Sequence, residues 1–521
     1  MRRPPPPLVL MTALLLGAAQ ESPRGGPLSV LSALVEYFKT GLRVVVGAAV
    51  GARWQVLRAT APTQDAADQL ESMLNELEED GAAAIWADVA SNRSADFAVS
   101  PDILEDVKDF LEEHAIPHTV MIPDLQKAIM AQNPRLSKQQ RKELRTIQGH
   151  DFTFRRYHRY ADILRYLSYL SSAYPSLVEV LTIGHSWEGL PLKLARVSTG
   201  GTISKDGRPK PAVWIDAGGH GREWVSPAVA LFVLRQLVEN YQVNRRVVDA
   251  AEWFVLPVAN PDGYEYSHTT DRLWRKTRST HTSAAARYVP SAPAANVPRC
   301  NVLRVTQRPL PMRSMQPALR PYRCLLCNPH YVLTRIDIQT GHRWLWRQCA
   351  GADLNRNWGF HWGGAGASRD PCSERFAGPR AFSEPEARAA ADFLTDRAGR
   401  VRLFLSLHAY SQAWLAPWGH SRRPPPDAQD LMDVARLAVE AAARVTGQPY
   451  RMGHARDLAA PRAGCSEDWA KGVAGIKYAY AVELRDRGDF GFLLPASQII
   501  STGRETFAAI KAAVRAVIAR M

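Results

Sequence analysis

The chain has 521 residues, 46% of them hydrophobic and 22% charged. That length can bury at least one large core, and the composition excludes a disordered or fibrous chain. The net charge of +14 would suit an acidic partner, but the excess lies largely in two basic stretches, 135–159 and 299–347, beside an acidic stretch over 65–106. No nucleic-acid partner is therefore expected.

The first residues carry Arg2 and Arg3, then the apolar run LVLMTALLLGAA, then small residues at Gly17, Ala18 and Ala19. This is the layout of a secretory signal peptide over 1–19, cleaved before Gln20, and it implies a secreted, extracellular protein. The run is too short to anchor the chain in a membrane. From Trp54 to about Met130 short strands and amphipathic helices alternate: WQVLRAT, QDAADQLESMLNELEED, AAAIWADVA, ADFAVS, PDILEDVKDFLEEHAI, HTVMI. Their order, β-α-β-β-α-β, predicts a small unit with both helices on one sheet face. The sequon Asn92-Arg93-Ser94 falls in one of its turns.

The stretch NPRLSKQQRKELRTI, within a linker over 133–148, carries Arg135, Lys138, Arg141, Lys142 and Arg145. A basic connection between folded units offers nicking sites to a trypsin-like protease. From 149 to 521 the strands VEVLTIG, AVWIDAG, EWFVLPVAN, VRLFLSLHAY and KYAYAVEL alternate with helical stretches. Runs apolar on both faces predict an α/β unit with a mixed, mostly parallel sheet covered by helices on both sides. In such folds the site lies beyond the carboxyl ends of strands. The segment 283–347, rich in Pro, Arg and Ser, shows neither helical nor strand period.

Six cysteines permit disulfides without making a cysteine framework. Cys349 and Cys372 bracket a Gly-rich, Asn/Arg-rich loop and are the expected pair. Cys300, Cys324 and Cys327 offer one ligand too few for a closed structural zinc site.

Chemistry concentrates behind the strand AVWIDAGG, where HGREW sets His220 and Glu223 at spacing H-x-x-E. An imidazole and a carboxylate so spaced can meet one zinc ion, with a third ligand from elsewhere and a fourth position left for water. His408, at the end of VRLFLSLHAY, supplies that third ligand, and Asp353 in ADLNRNW is placed to orient a histidine from behind.

HGREW, NPDGYEYS, RLWRKTRS, CAGADLNRNW, LHAYSQ and ELRDRGDFGFLLP follow one another in this order. With these six motifs the chain resembles the pancreatic-type metallocarboxypeptidases, the A/B group of zinc carboxypeptidase zymogens, over nearly everything from Trp54 onward. The resemblance implies an inhibitory prodomain within 20–132 (folded core about 50–130), then a catalytic domain over 149–521. It implies one Zn²⁺ on His220, Glu223 and His408, with Glu483 as general base and Arg275 holding the developing oxyanion. Arg222, Asn355 and Arg356 match carboxylate contacts of the family, as a forked guanidinium beside an amide would require, and Tyr410 matches a further substrate contact. Glu467 aligns with the floor of the side-chain pocket, where a carboxylate implies preference for C-terminal Lys or Arg, and Gly419 leaves that pocket open; the alternatives are the A type's preference for apolar C-terminal residues and a catalytically impaired peptide-binding homologue. The implied partners are peptide or protein C-termini and a trypsin-like activating protease, acting on a monomer.

The match departs from the family in places. Ala460, in LAAPRAG, stands where the family has a mobile tyrosine, Cys465 replaces a small residue, and Ala409 follows His408 where Ser is common. The segment 283–347 is roughly sixty residues longer than the family's connection, beyond ordinary loop lengths; an ordered insertion gating the site, a disordered insertion and a retained intron are the three readings, and its composition favours the last.

Overall fold

The computed structural model describes residues 53–142, 150, 152–200, 207, 210–282, 287–289, 331–336 and 343–521. The leader, the end of the basic linker, Cys300, Cys324, Cys327 and most of 283–347 lie outside these residues. Among the described residues no helix is long and apolar enough to cross a membrane.

The amino-terminal unit comprises β1 (Gln55–Thr60), α1 (Gln64–Glu79), β2 (Ala83–Ile85), β3 (Ser94–Val99), α2 (Leu104–Glu113), β4 (His118–Ile122) and α3 (Leu125–Gln132). Its strands pair antiparallel in the order β2-β3-β1-β4. Alternation decides which side chains face where. Leu57, Ala59, Phe97 and Val99 pack under α1 and α2, whereas Val56, Ala98 and Ile122 point the other way, onto Phe492 and Leu493 of the large unit. Two details differ from the sequence expectation. The run AAAIWADVA forms a regular strand only over β2, because the amide N–H groups of Trp86 and Ala87 both donate to the Asp96 carbonyl, at 2.8 and 3.0 Å, which breaks the one-to-one pairing there, while the Trp86 ring packs on Phe492 at 5.3 Å. Helix α3, which periodicity did not flag, starts where Asp124 accepts the amide N–H of Lys127 at 2.9 Å. Asn92 of the sequon is exposed in the turn before β3.

The large unit continues with α4 (Tyr160–Ala173), β5 (Val178–His185), β6 (Pro191–Val197), β7 (Ala212–Ala217), α5 (Val225–Val238), α6 (Tyr241–Asp249), β8 (Glu252–Leu256) and α7 (Pro261–Thr269). After β9 (Thr280–Thr282), β10 (Arg287–Val289), β11 (Tyr331–Ile336) and β12 (Arg343–Ala350) come α8 (Pro385–Thr395), β13 (Val401–His408), β14 (Ala413–Ala416) and α9 (Ala428–Thr446). The chain ends with β15 (Arg451–His454), α10 (Ala455–Leu458), α11 (Ser466–Gly472), β16 (Tyr478–Glu483) and α12 (Ile499–Ile518). Eight strands form one mixed sheet in the order β15-β14-β16-β13-β7-β8-β6-β5. Its centre, β16-β13-β7-β8, is parallel. The period-two pattern again divides the core: Val213, Ile215, Leu403, Leu405 and Leu407 lie under α4, α5, α9 and α12, while Trp214, Phe254 and Phe404 lie under α8 and α11. The extended residues within 283–347 pair antiparallel, β10-β12-β11, where the sequence showed no period.

One buried group makes folding depend on pH. Glu386, in the first turn of α8, is 1% exposed; its Oε1 accepts the Trp187 amide N–H at 3.0 Å while Oε2 has no hydrogen-bond partner among the described residues. Burial pushes the carboxyl up to about 8. Because this lies above the unfolded value of roughly 4.3, its contribution to stability is full below the unfolded value and is lost as pH rises through about 8. Glu386→Gln is therefore expected to leave the melting temperature at pH 4 close to wild type and to raise stability at pH 9 by on the order of 1–3 kcal/mol. Equal melting shifts at both pH values would refute this.

Candidate active site

The parallel strands end together, and the polar residues gather at that edge. His220 and Glu223 lie in the turn between β7 and α5, while His408 and Glu483 are the last residues of β13 and β16 and are register partners. His220 Nδ1 stands 2.6 Å from Glu223 Oε1, and His408 Nδ1 stands 3.1 Å from Glu223 Oε2. One ligand atom from each of the three lies within 4.8 Å of the others, all buried. The remaining nitrogens are engaged from behind, His220 Nε2 by Asp353 Oδ1 at 3.0 Å and His408 Nε2 by Ser406 Oγ at 3.1 Å. Two imidazoles and one carboxylate converging on a point, each ring fixed by a second partner, are the donor set of a catalytic zinc site. The residues present fit Zn²⁺.

Electrostatics follow from this crowding. Burial opposes ionisation of Glu223, yet His220 and His408 hold its carboxyl well below the usual range. Burial would lower the His408 imidazole, but Glu223 outweighs it and pushes it up to about 9. The Glu483 carboxyl is raised, by burial first and by Glu223 next, against the pull of His408.

Asp353 is the hub for the neighbouring cations. The loop bearing it is fastened by the Cys349–Cys372 disulfide, whose Cα atoms are 5.1 Å apart, so the expected pair is bonded. Gly351 there has φ +80°, and a Cβ would meet the Thr277 carbonyl oxygen at 2.0 Å, so no side chain fits. Asp353 Oδ2 accepts Arg275 Nη2 at 2.9 Å, and Oδ1 accepts the Asn355 amide N–H at 2.9 Å. Although burial works the other way, Arg275 and Arg356 keep Asp353 ionised far below its ordinary range. Asn355 Oδ1 accepts the Ser466 amide N–H at 2.8 Å, and Arg356 donates to the carbonyls of Gly366 and Asn355 at 2.9 Å each.

These residues share one cavity of about 630 Å³, lined by His220, Arg222, Glu223, Arg275, Asn355, Arg356, His408, Tyr410 and Glu483 and roofed by the amino-terminal unit. The roof bonds directly to two of them: Arg222 Nη2 donates to the Ile85 carbonyl at 3.2 Å, and the Tyr410 hydroxyl donates to Asp96 at 2.5 Å. Ala460 lines the same cavity and brings no hydroxyl.

Two expected residues are not part of that lining. Glu467 is 0% exposed, and its Oε1 stands 3.2 Å from Arg462 Nε. Gly419 is also buried and donates its amide N–H to Asp468 at 2.9 Å. The expectation that Glu467 faces substrate is therefore corrected: its charge is already answered, and Arg462 stands at the cavity wall instead. The sequence held one sign of this, a lone arginine among the small residues of LAAPRAG, five positions before Glu467.

Comparison with known proteins agrees with this geometry. Residues 163–509 match the family model described as zinc carboxypeptidase, and residues 58–132 match that of the carboxypeptidase activation peptide. The chain is 37% identical over 355 residues to carboxypeptidase B of Astacus astacus, covering 68% of this chain and 95% of that protein. It is 33% identical over 476 residues to carboxypeptidase A1 of Bos taurus, covering 89% and 95%. A crystal structure of thrombin activatable fibrinolysis inhibitor superposes with a TM-score of 0.70 at 28% identity, covering 90% of this chain and all of that one.

Proposed function

This chain belongs to the zinc carboxypeptidase family, as the precursor of a metallocarboxypeptidase that uses one Zn²⁺, and from that premise we propose how its parts divide the work. His220, Glu223 and His408 would hold that ion. The observation that carries this is the meeting of those three groups at the strand edge, with Glu483 beside His408 in register.

Zn²⁺ held there supplies Lewis acidity, polarising a carbonyl and making water a better nucleophile near neutral pH. Glu483 accepts the proton of the attacking water and passes it to the departing nitrogen. Arg275, fixed by Asp353, donates N–H groups to the oxygen on which negative charge develops. Arg356, Asn355 and Arg222 hold the free carboxylate of the peptide, which limits cleavage to the last residue. Tyr410 packs beside the substrate once the roof has gone.

We place the leader at 1–19, the extension and inhibitory prodomain at 20–132, the basic linker at 133–148 and the catalytic domain at 149–521. Arg135, Lys138, Arg141 and Lys142 are exposed, which suits attack by a trypsin-like protease; the leader suits secretion, and we take the secreted protein to act as a monomer. Glu467 gives no preference for Lys or Arg, because that carboxylate is paired with Arg462 away from the cavity lining.

The test uses the full precursor. After brief trypsin treatment it should release single residues from the C-termini of short peptides; a zinc chelator should stop release, and added Zn²⁺ should restore it. Release unaffected by prolonged chelation, or internal cleavage of the peptides, would overturn the reading.

A further inference from the structure

A guanidinium that the family motifs do not account for stands beside the catalytic carboxylate. Arg462 is 6% exposed, and its side chain lies across Gly419, where an added Cβ would meet Arg462 Cγ at 2.7 Å. The guanidinium lies between two carboxylates: Nε is 3.2 Å from Glu467 Oε1, and Nη1 is 3.7 Å from Glu483 Oε1. Neither approach is aligned as a hydrogen bond. Among the described residues nothing accepts from Nε or Nη2 of Arg462, and nothing donates to Oε1 of Glu467. A buried guanidinium with spare donors at a cavity wall is costly unless something else answers it.

We propose that Arg462 sets the side-chain preference of this carboxypeptidase: it takes on Glu467 the place that a substrate Lys or Arg would occupy, and offers its free donors to an acidic C-terminal residue. The inference rests on the activity proposed above. Glu467 is thereby neutralised, so a cationic side chain meets a like charge instead of a partner. The surroundings push the same way, since the large unit lines the cavity with seven arginines and four carboxylates. A carboxylate reaching Arg462 would be received in forked geometry, which a lysine at that position could not supply.

The experiment compares trypsin-activated wild type with Arg462→Ala on three peptides that differ only in a C-terminal Glu, Arg or Phe. Wild type should favour Glu over Arg in kcat/KM by roughly tenfold or more. In Arg462→Ala the Glu peptide should lose by a similar factor, mostly through KM, while the Arg peptide gains as Glu467 is freed. Because Arg462→Ala leaves a buried carboxylate alone, the double variant Arg462→Ala/Glu467→Gln is run beside it and should treat Glu and Arg alike. Wild type cleaving Arg fastest, or a Glu-to-Arg ratio unchanged in both variants, overturns the inference alone. Inertness toward all three peptides overturns the carboxypeptidase reading and takes this one with it.

Discussion

Replacing Glu483 by Gln is expected to lower kcat/KM of the trypsin-activated protein by on the order of 10²–10⁴, with zinc content and melting temperature close to wild type. The side chain is 15% exposed and ends a strand whose neighbour ends in His408, so an isosteric amide fits the same space. What the amide lacks is a basic oxygen able to take a proton from water. Activity should fall as pH drops into the carboxyl range, because the base is then protonated. A merely structural Glu483 would show the reverse pattern, a lower melting temperature and little change in turnover per folded molecule. Turnover within about tenfold of wild type would remove Glu483 from the role of general base.

The difference between what sequence disclosed and what it hid is a difference in range. His220 and Glu223 are three apart on one turn, and His408 ends an unmistakable buried strand, so local pattern and motif order were enough to locate them. The same holds for the sheet: runs such as VRLFLSLH are apolar on both faces because β13 is covered on both. Glu467 was misread because its fate depends on Arg462, and no periodicity states that a loop arginine will fold back over Gly419. The short extent of β2 is similar, since it ends where Trp86 and Ala87 both bond the single Asp96 carbonyl, an irregularity of pairing with another strand that no pattern within the run states. Asp353 was legible as a group behind a histidine, but its second task, fixing Arg275, needed the disulfide loop and the Arg275 segment in one frame.

Removing one carboxylate from the roof should release much of the precursor's latency. Asp96 is 2% exposed and accepts Arg58 Nε at 2.6 Å, Arg58 Nη2 at 2.7 Å and the Tyr410 hydroxyl at 2.5 Å. Arg58 in turn donates to the Arg487 carbonyl at 3.2 Å, and only a glycine at 488 lets it come so near, since a Cβ there would stand 1.6 Å from Arg58 Nη2. Asp96 thus ties a proposed substrate contact to the unit that covers it. Asp96→Ala leaves a guanidinium and a phenol without their acceptor at a closed interface, a loss that typically costs 2–5 kcal/mol. Such a change shifts the covered-to-open balance by roughly thirtyfold or more, and uncleaved Asp96→Ala precursor should turn over peptides faster than uncleaved wild type by about that factor. Asp96→Asn keeps an acceptor oxygen for Tyr410 and should show a smaller rise. After trypsin treatment the two variants and wild type should be equal, because residue 96 departs with the covering unit. A precursor that stays as latent as wild type without Asp96 would mean that the apolar contacts of Trp86, Ile122 and Leu125 with Phe492 and Leu493 hold the cover closed by themselves.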